Sequence, residues 1–285
     1  MAIVPCCSTT DGSPIPAELL LTGDDGNGAA LTLNGLWVEG AINVQPDSLE
    51  RLHLLHCTLL PGRQRALNGT PLHPDLPSVV ANGPNIDFRL EVERTIIGPL
   101  HLPANSDGLH ATDSIIDALA DARNAVAAED GVSSGPPVTL ERVTVIGQMV
   151  ARQFDLVSES IITGRATAER RQLGCMRFSY VPNGSRTPRR HRCQPDLALT
   201  GVTEPAAQAN IRAGLTPIFT ARDYGKPAYL QLSEQCAVAI RTGAEDGAEM
   251  GVFHHLQQPQ RAANLRTALD EYLPFGLEAG IIYVT

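Results

Sequence analysis

Between residues 31 and 145 apolar and polar side chains alternate in one short phrase that recurs along the chain. The copies are Leu31-Thr-Leu-Asn-Gly-Leu-Trp-Val38, Leu52-His-Leu-Leu-His-Cys-Thr-Leu59, Leu90-Glu-Val-Glu-Arg-Thr-Ile-Ile97, Leu109-His-Ala-Thr-Asp-Ser-Ile-Ile116 and Val138-Thr-Leu-Glu-Arg-Val-Thr-Val145. A period of two with a polar break predicts a short strand, a tight bend and a second short strand. Such a unit cannot bury its apolar face alone, so the copies must stack. On the third column (Leu33, Leu54, Val92, Ala111, Leu140) the spacings are 21, 38, 19 and 29 residues. The spacing of 38 is twice 19, and Ser78-Val-Val-Ala81 stands where a degenerate copy would fit. The spacing of 29 holds an insertion, Leu119 to Pro137, expected as a loop on one face.

After a glycine a third strand follows many copies: Ala41-Ile-Asn-Val44, Pro99-Leu-His-Leu102 and Gln148-Met-Val-Ala151. A sixth copy, Phe154 to Ile162, leads to Arg165-Ala-Thr-Ala168, with its register open by one residue. Three short strands per turn of about twenty residues point to a parallel β-solenoid. The fixed Asn or Cys column of a leucine-rich repeat is missing. The residues resemble the right-handed parallel β-helix of the pectin-lyase-like superfamily, over roughly 17–181. The expected fold class is therefore all-β, a right-handed parallel β-helix over 1–181, followed by a basic loop and a small mixed C-terminal capping or docking region over 182–285.

Composition narrows the classes. Aromatics are scarce at 4%, which suits a narrow core of aliphatic ladders, and a net charge of −9 argues against nucleic acid as a partner. An acidic surface gives no reason to expect a membrane partner, and no run of residues approaches a membrane span. The N-terminus carries no secretory signal pattern, so a cytoplasmic or particle-associated protein is expected. The chain opens almost directly into coil sequence, which reads as an exposed first rung or, preferred, as a cut from a longer protein. The cysteines are Cys6, Cys7, Cys57, Cys175, Cys193 and Cys236. Cys57 falls in an inward column as a small buried hydrophobe. Cys175 and Cys193 flank one loop, and whether they are bridged stays open.

Past the repeats, Gly174-Cys-Met-Arg-Phe-Ser-Tyr-Val181 reads as a last strand. The loop 182–193 carries Arg186, Arg189, Arg190 and Arg192, a positive cluster on an acidic chain. It reads either as a site for an anion, a glycan carboxylate or an acidic partner, or as arginines paired with the chain's own carboxylates. Thr216 to Thr220 looks like a strand. Glu245, Asp246 and Glu249 lie in a Gly-rich loop where carboxylates could hold a hard cation such as calcium, although they miss the spacing of the twelve-residue calcium loop. His254-His255, if on a strand, would point to opposite faces and read as structural. Asp24-Asp25-Gly26-Asn27-Gly28 is a turn. Pro259 to Tyr272 predicts a helix with the stripe Ala262, Leu265, Leu269 and Tyr272, and Phe275 to Thr285 a turn and final strand. This region would close the end of the solenoid or dock on a neighbouring subunit.

Enzymes of the superfamily carry recognisable clusters. Asn105-Ser-Asp-Gly108 is similar to the Asn-Thr-Asp element of polygalacturonases, but the partner carboxylates that activate water do not follow. Arg186-Thr-Pro-Arg-Arg-His191 is similar to the Arg-x-Pro-x-x-Arg of pectate lyases, with His in place of the second Arg. No nucleotide, nucleophile-elbow or cofactor motif is present, so no cofactor is expected. Asp107, Asp113, Asp117 and Glu141 are the candidate carboxylates if chemistry exists. Beyond the superfamily, Gly174 to Val181, Ser185 to Arg190, Arg241 to Gly251 and Gln258 to Arg261 resemble uncharacterised bacterial β-helix proteins associated with phage-tail-like contractile particles. That resemblance implies a structural or docking component with a protein partner in a larger assembly. The alternatives are a polysaccharide-active lyase or hydrolase and a carbohydrate-binding module. Ile96, Ile115 and Trp37, if outward, would form an apolar strip for another copy of the chain.

Overall fold

The computed structural model describes residues 2–3, 8–10, 13–15, 18–22, 28–46 and 49–282. Cys6, Cys7, residues 24–27 of the expected turn and residues 283–285 of the expected last strand lie outside them. The described chain is a parallel β-helix. Coil after coil contributes one strand to each of three parallel sheets, of eight, seven and seven strands. In one coil Arg89–Glu93 belongs to the first sheet, Ile96–Ile97 to the second and Leu100–His101 to the third.

The columns of the sequence are columns in space. Leu31, Leu52, Leu90, Leu109 and Val138 stand in register on the first sheet, as do Leu33, Leu54, Val92, Ala111 and Leu140. Alternation puts these positions inside, and Leu52, Leu54, Leu90 and Leu109 are among the core's fully buried side chains. The outward positions between them carry His53, Glu91, His110 and Thr139. A bulge between Val138 and Thr139 opposes Phe154 and Leu156, skipping Asp155, which accounts for the open register of the sixth copy.

The bend between first and second strands has a fixed construction. One residue per coil takes a left-handed φ: Gly35, His56, Arg94, Asp113, Arg142 and Glu159 in successive coils. The next residue points inward and is often a small polar one. Ser114 Oγ donates to the carbonyl of Thr112 and accepts from the backbone N–H of Thr95 (3.1 Å). Ser160 repeats this between Ser158 and Val143, and its own N–H donates to Ser179 Oγ. Cys57 occupies the same column, its thiol against the carbonyls of Leu33 and Leu55. The hydroxyls thus satisfy buried amides where the sheet hydrogen bonding is interrupted.

Several expectations are corrected. Val79–Ala81 is not a degenerate copy; it is the third-sheet strand of the coil that began at Arg51, delayed by an excursion over residues 60–78. The insertion at 119–137 likewise contains a third-sheet strand, Asn124–Ala127. The stretch 182–193 is no free loop: Arg189–His191 is the outermost strand of the first sheet, so the coils run to residue 194. Cys175 and Cys193 are free thiols; Cys193 faces the core, and burial pushes its thiol up.

Residues 219–253 cover a flank of the stack. Tyr229, Leu230 and Val252 pack on Ile115 and Ile146 of the second sheet, with Ile96 partly buried beside them. Leu232, Cys236, Ile240 and Met250 pack on Ile161 and Tyr180. The strip of Ile96 and Ile115 is therefore covered by the chain itself, and Trp37 alone remains exposed. Thr216–Thr220 forms only a bridge, Phe219 to Leu232. Among the described residues three α-helices occur where one was expected: α1 (Pro205–Gly214), α2 (Val238–Arg241) and α3 (Gln258–Tyr272). His254–Leu256 is a short 3-10 turn, not a strand. The described part of the tail after α3 contains no strand. Among the described residues no helix is long and apolar enough to cross a membrane.

Candidate functional site

The four candidate carboxylates fall in three separate places, each held by a partner. Asp107, just before the strand Gly108–Thr112, is exposed and pairs with Arg89 on the neighbouring coil (2.5 Å). Asp113 and Glu141 come together on one guanidinium: Asp113 Oδ1 accepts from Arg142 Nε (2.6 Å), and Glu141 lies 3.6 Å from the same arginine. That hydrogen bond holds Arg142 above its ordinary value. Asp117 ends a second-sheet strand beneath the C-terminal segment. Its carboxylate accepts from Tyr229 Oη (2.5 Å) and from the amide of Leu119 (2.7 Å), and burial still pushes it up. Tyr229 is raised well above its usual range by its own burial and by Asp117. These are the bonds of a structural anchor for the covering segment.

The four arginines divide. Arg190 is half-buried and spent internally: it donates to Thr187 Oγ1 and the Ser185 carbonyl and pairs with Asp196 (2.9 Å). Arg186, Arg189 and Arg192 are exposed and make no ion pair among the described residues. They sit on the last coil, Arg189 on the outermost strand of the first sheet and Arg186 bridged to Thr167.

The loop 245–251 does not assemble its three carboxylates. Glu245 reaches Arg177 (3.8 Å) across the first bend. Asp246 instead meets Glu159 and His254. Glu249 turns inward, only 4% exposed, with Oε1 lacking a hydrogen-bond partner among the described residues. Burial pushes its carboxyl up to about 7, against the pull of Arg241 and with the push of Glu234. It borders a cavity of about 470 Å³ shared with Glu234, Arg241, Gln258 and Arg266, in which Arg241 pairs with Glu234.

At the opposite extreme is α3 with the tail behind it. The helix buries no residue, and Leu265 and Tyr272 of its stripe are exposed, Tyr272 at 84%. Phe275, Leu277 and Ile282 of the tail are exposed as well. Of the stripe, Ala262 and Leu269 are half-buried, Ala262 against the cavity beside Glu249, and Leu265 and Tyr272 face solvent.

Tyr229, Glu159, His254 and Arg241 were not singled out from sequence as site residues. Glu159 carries one signal in retrospect, its place in the left-handed bend column, which fixes it on the outer edge facing the covering segment. Comparison with protein-family models, curated proteins and solved structures finds no match to this chain.

Proposed function

We propose that this protein is a non-catalytic docking β-helix, a rigid stack whose C-terminal arm, residues 258–282, binds a groove on a protein partner in a larger assembly. One observation carries the reading: the arm presents Leu265, Tyr272, Phe275, Leu277 and Ile282 to solvent. Large apolar side chains left exposed on a helix and tail cost free energy in water, and covering them in a partner's groove lowers it by about 25 cal/mol per Å² covered. The resemblance to β-helix proteins of phage-tail-like contractile particles makes a neighbouring subunit of such a particle the partner we favour. The pairing of Asp107, Asp113 and Glu141 with arginines is compatible with a structural use of those groups.

A second reading rests on Arg186, Arg189 and Arg192: exposed guanidiniums on a fixed coil suit the carboxylates of an acidic polysaccharide. One experiment separates the readings. The intact chain and a chain ending at Thr267 are offered a panel of acidic and neutral polysaccharides and, separately, a hydrophobic dye. Docking predicts dye binding that truncation removes, and no new reducing or unsaturated ends from either chain. Retention on acidic polymers, lost when Arg186, Arg189 and Arg192 are changed to Glu, would favour the second reading. Product release abolished by Asp113→Asn would overturn both.

A further inference from the structure

Where the covering segment crosses the bend of the sixth coil, three donor groups converge that belong to no part of the docking surface. Glu159 holds the left-handed position of that bend. The loop 245–254 wraps around it: the Glu159 carbonyl accepts from the amide of Gly251 (2.7 Å), and its Oε1 from the amide of Glu245 (3.3 Å). This leaves Oε2 facing His254 Nε2 at 3.7 Å, while Asp246 Oδ1 stands 3.1 Å from the same nitrogen. The Glu159 and His254 side chains are 13% and 14% exposed, and Asp246 at 42% forms the open side. One donor atom from each residue lies within 4.8 Å of the other two.

Hydrogen bonding serves this arrangement incompletely. Asp246 Oδ1 accepts from the amide of Ala248 (2.9 Å), and a single Nε2–H can be aimed well at one carboxylate only, so with that proton on the nearer Asp246 the Glu159 Oε2 is left 3.7 Å away beyond hydrogen-bond reach. A divalent cation at the centre engages all three lone pairs at once. Ligand atoms about 2.0–2.2 Å from zinc at tetrahedral angles stand about 3.4 Å apart, and the separations of 3.1 and 3.7 Å bracket that figure. One imidazole with two carboxylates suits zinc or a neighbouring first-row ion, whereas calcium demands six or more oxygens.

We infer that Glu159, Asp246 and His254 form a zinc-class divalent metal site that staples the C-terminal segment to the side of the β-helix. The three ligands come from two elements distant in sequence, so the ion stabilises the covered flank and leaves a coordination position open toward solvent. It differs from the calcium loop expected over 245–249, of which only Asp246 contributes.

The test is calorimetric and thermal titration of the EDTA-stripped full-length protein with zinc chloride alone, with calcium chloride as the second arm. One zinc per chain is expected, with a melting temperature that rises with zinc and returns with chelator. His254→Gln and Glu159→Gln should each weaken zinc at least tenfold, while Glu245→Gln leaves it unchanged. Cobalt in place of zinc should give visible absorption bands that His254→Gln removes, a readout independent of stability. Zinc binding unaltered in both His254→Gln and Glu159→Gln would overturn the site, as would a thermal response to calcium but not to zinc, or none to either ion.

Discussion

The coil stack and the segment that covers its flank are two solutions to the same problem. Inside the stack every coil presents like residues to like: aliphatic columns on the sheets and a ladder of Ser and Thr hydroxyls and Cys thiols at the bend. Its interior is nearly free of titratable groups, and each coil is supported by its neighbours. The covering segment has no repeat. It is held by a few apolar side chains and by contacts between residues far apart in sequence, including Tyr229 to Asp117 and His254 to Glu159, and it buries the carboxyl of Glu249. Repetition gives a cohesion that pH does not touch; single long-range contacts give one that pH and ligands can tune.

The largest effect should come from the stack. Phe154→Ala empties a fully buried aromatic at the sixth coil and should cost about 3–5 kcal/mol, read as one cooperative shift in denaturant unfolding. A loss confined to the covering segment would break the distinction between the regions.

The next effect separates them by pH. Glu249 has a folded-state value of about 7 against an ordinary 4.5. The folded state therefore keeps its proton longer than the unfolded one, so stability falls as pH rises from about 4.5 through 7 and levels off above. The loss is on the order of 3 kcal/mol. Glu249→Gln should remove most of that slope, giving a melting temperature above the parent's at pH 8 relative to pH 5. An unchanged slope would show that another group controls it.

A smaller change probes the bend ladder. Ser160→Ala leaves the buried amide of Val143 without its acceptor and should cost about 1–3 kcal/mol, equally at pH 5 and pH 8. A pH-dependent cost would mean that the ladder is coupled to the flank. Smallest of all, ending the chain at Thr267 should change stability by less than about 1 kcal/mol, because none of the removed described residues is fully buried and only a few, Leu269 and Leu273 among them, are half-buried.

The regions differ in the same way in how far sequence reveals them. Leu31, Leu52, Leu90 and Leu109 disclose their sheet because a period of two survives wherever one face is buried. The strand Val79–Ala81 was misread because its coil is stretched by the excursion before it, which breaks the spacing and not the stacking. The last coil was hidden by its Pro and Arg content, which local propensity reads as loop. Of the candidate sites, sequence could place Arg186 to Arg192 and Asp246 in chemically marked stretches. It could not join Asp246 to Glu159 and His254, since their meeting depends on where the covering segment crosses the stack. Nor could it tell that Leu265 and Tyr272 of the stripe on α3 face solvent, because an amphipathic helix has the same pattern whether its groove lies in its own chain or in another.

The measurement that tests the docking account most directly is hydrogen exchange by mass spectrometry on the isolated chain. Peptides across the coils from Arg89 to Ile162 should resist exchange for hours, the covering segment should be intermediate, and peptides from Leu265 to Ile282 should exchange within seconds, as an unsupported helix does. Protection of the arm equal to that of the coils, in a chain shown to be monomeric, would mean that it is seated against its own molecule and would contradict the account.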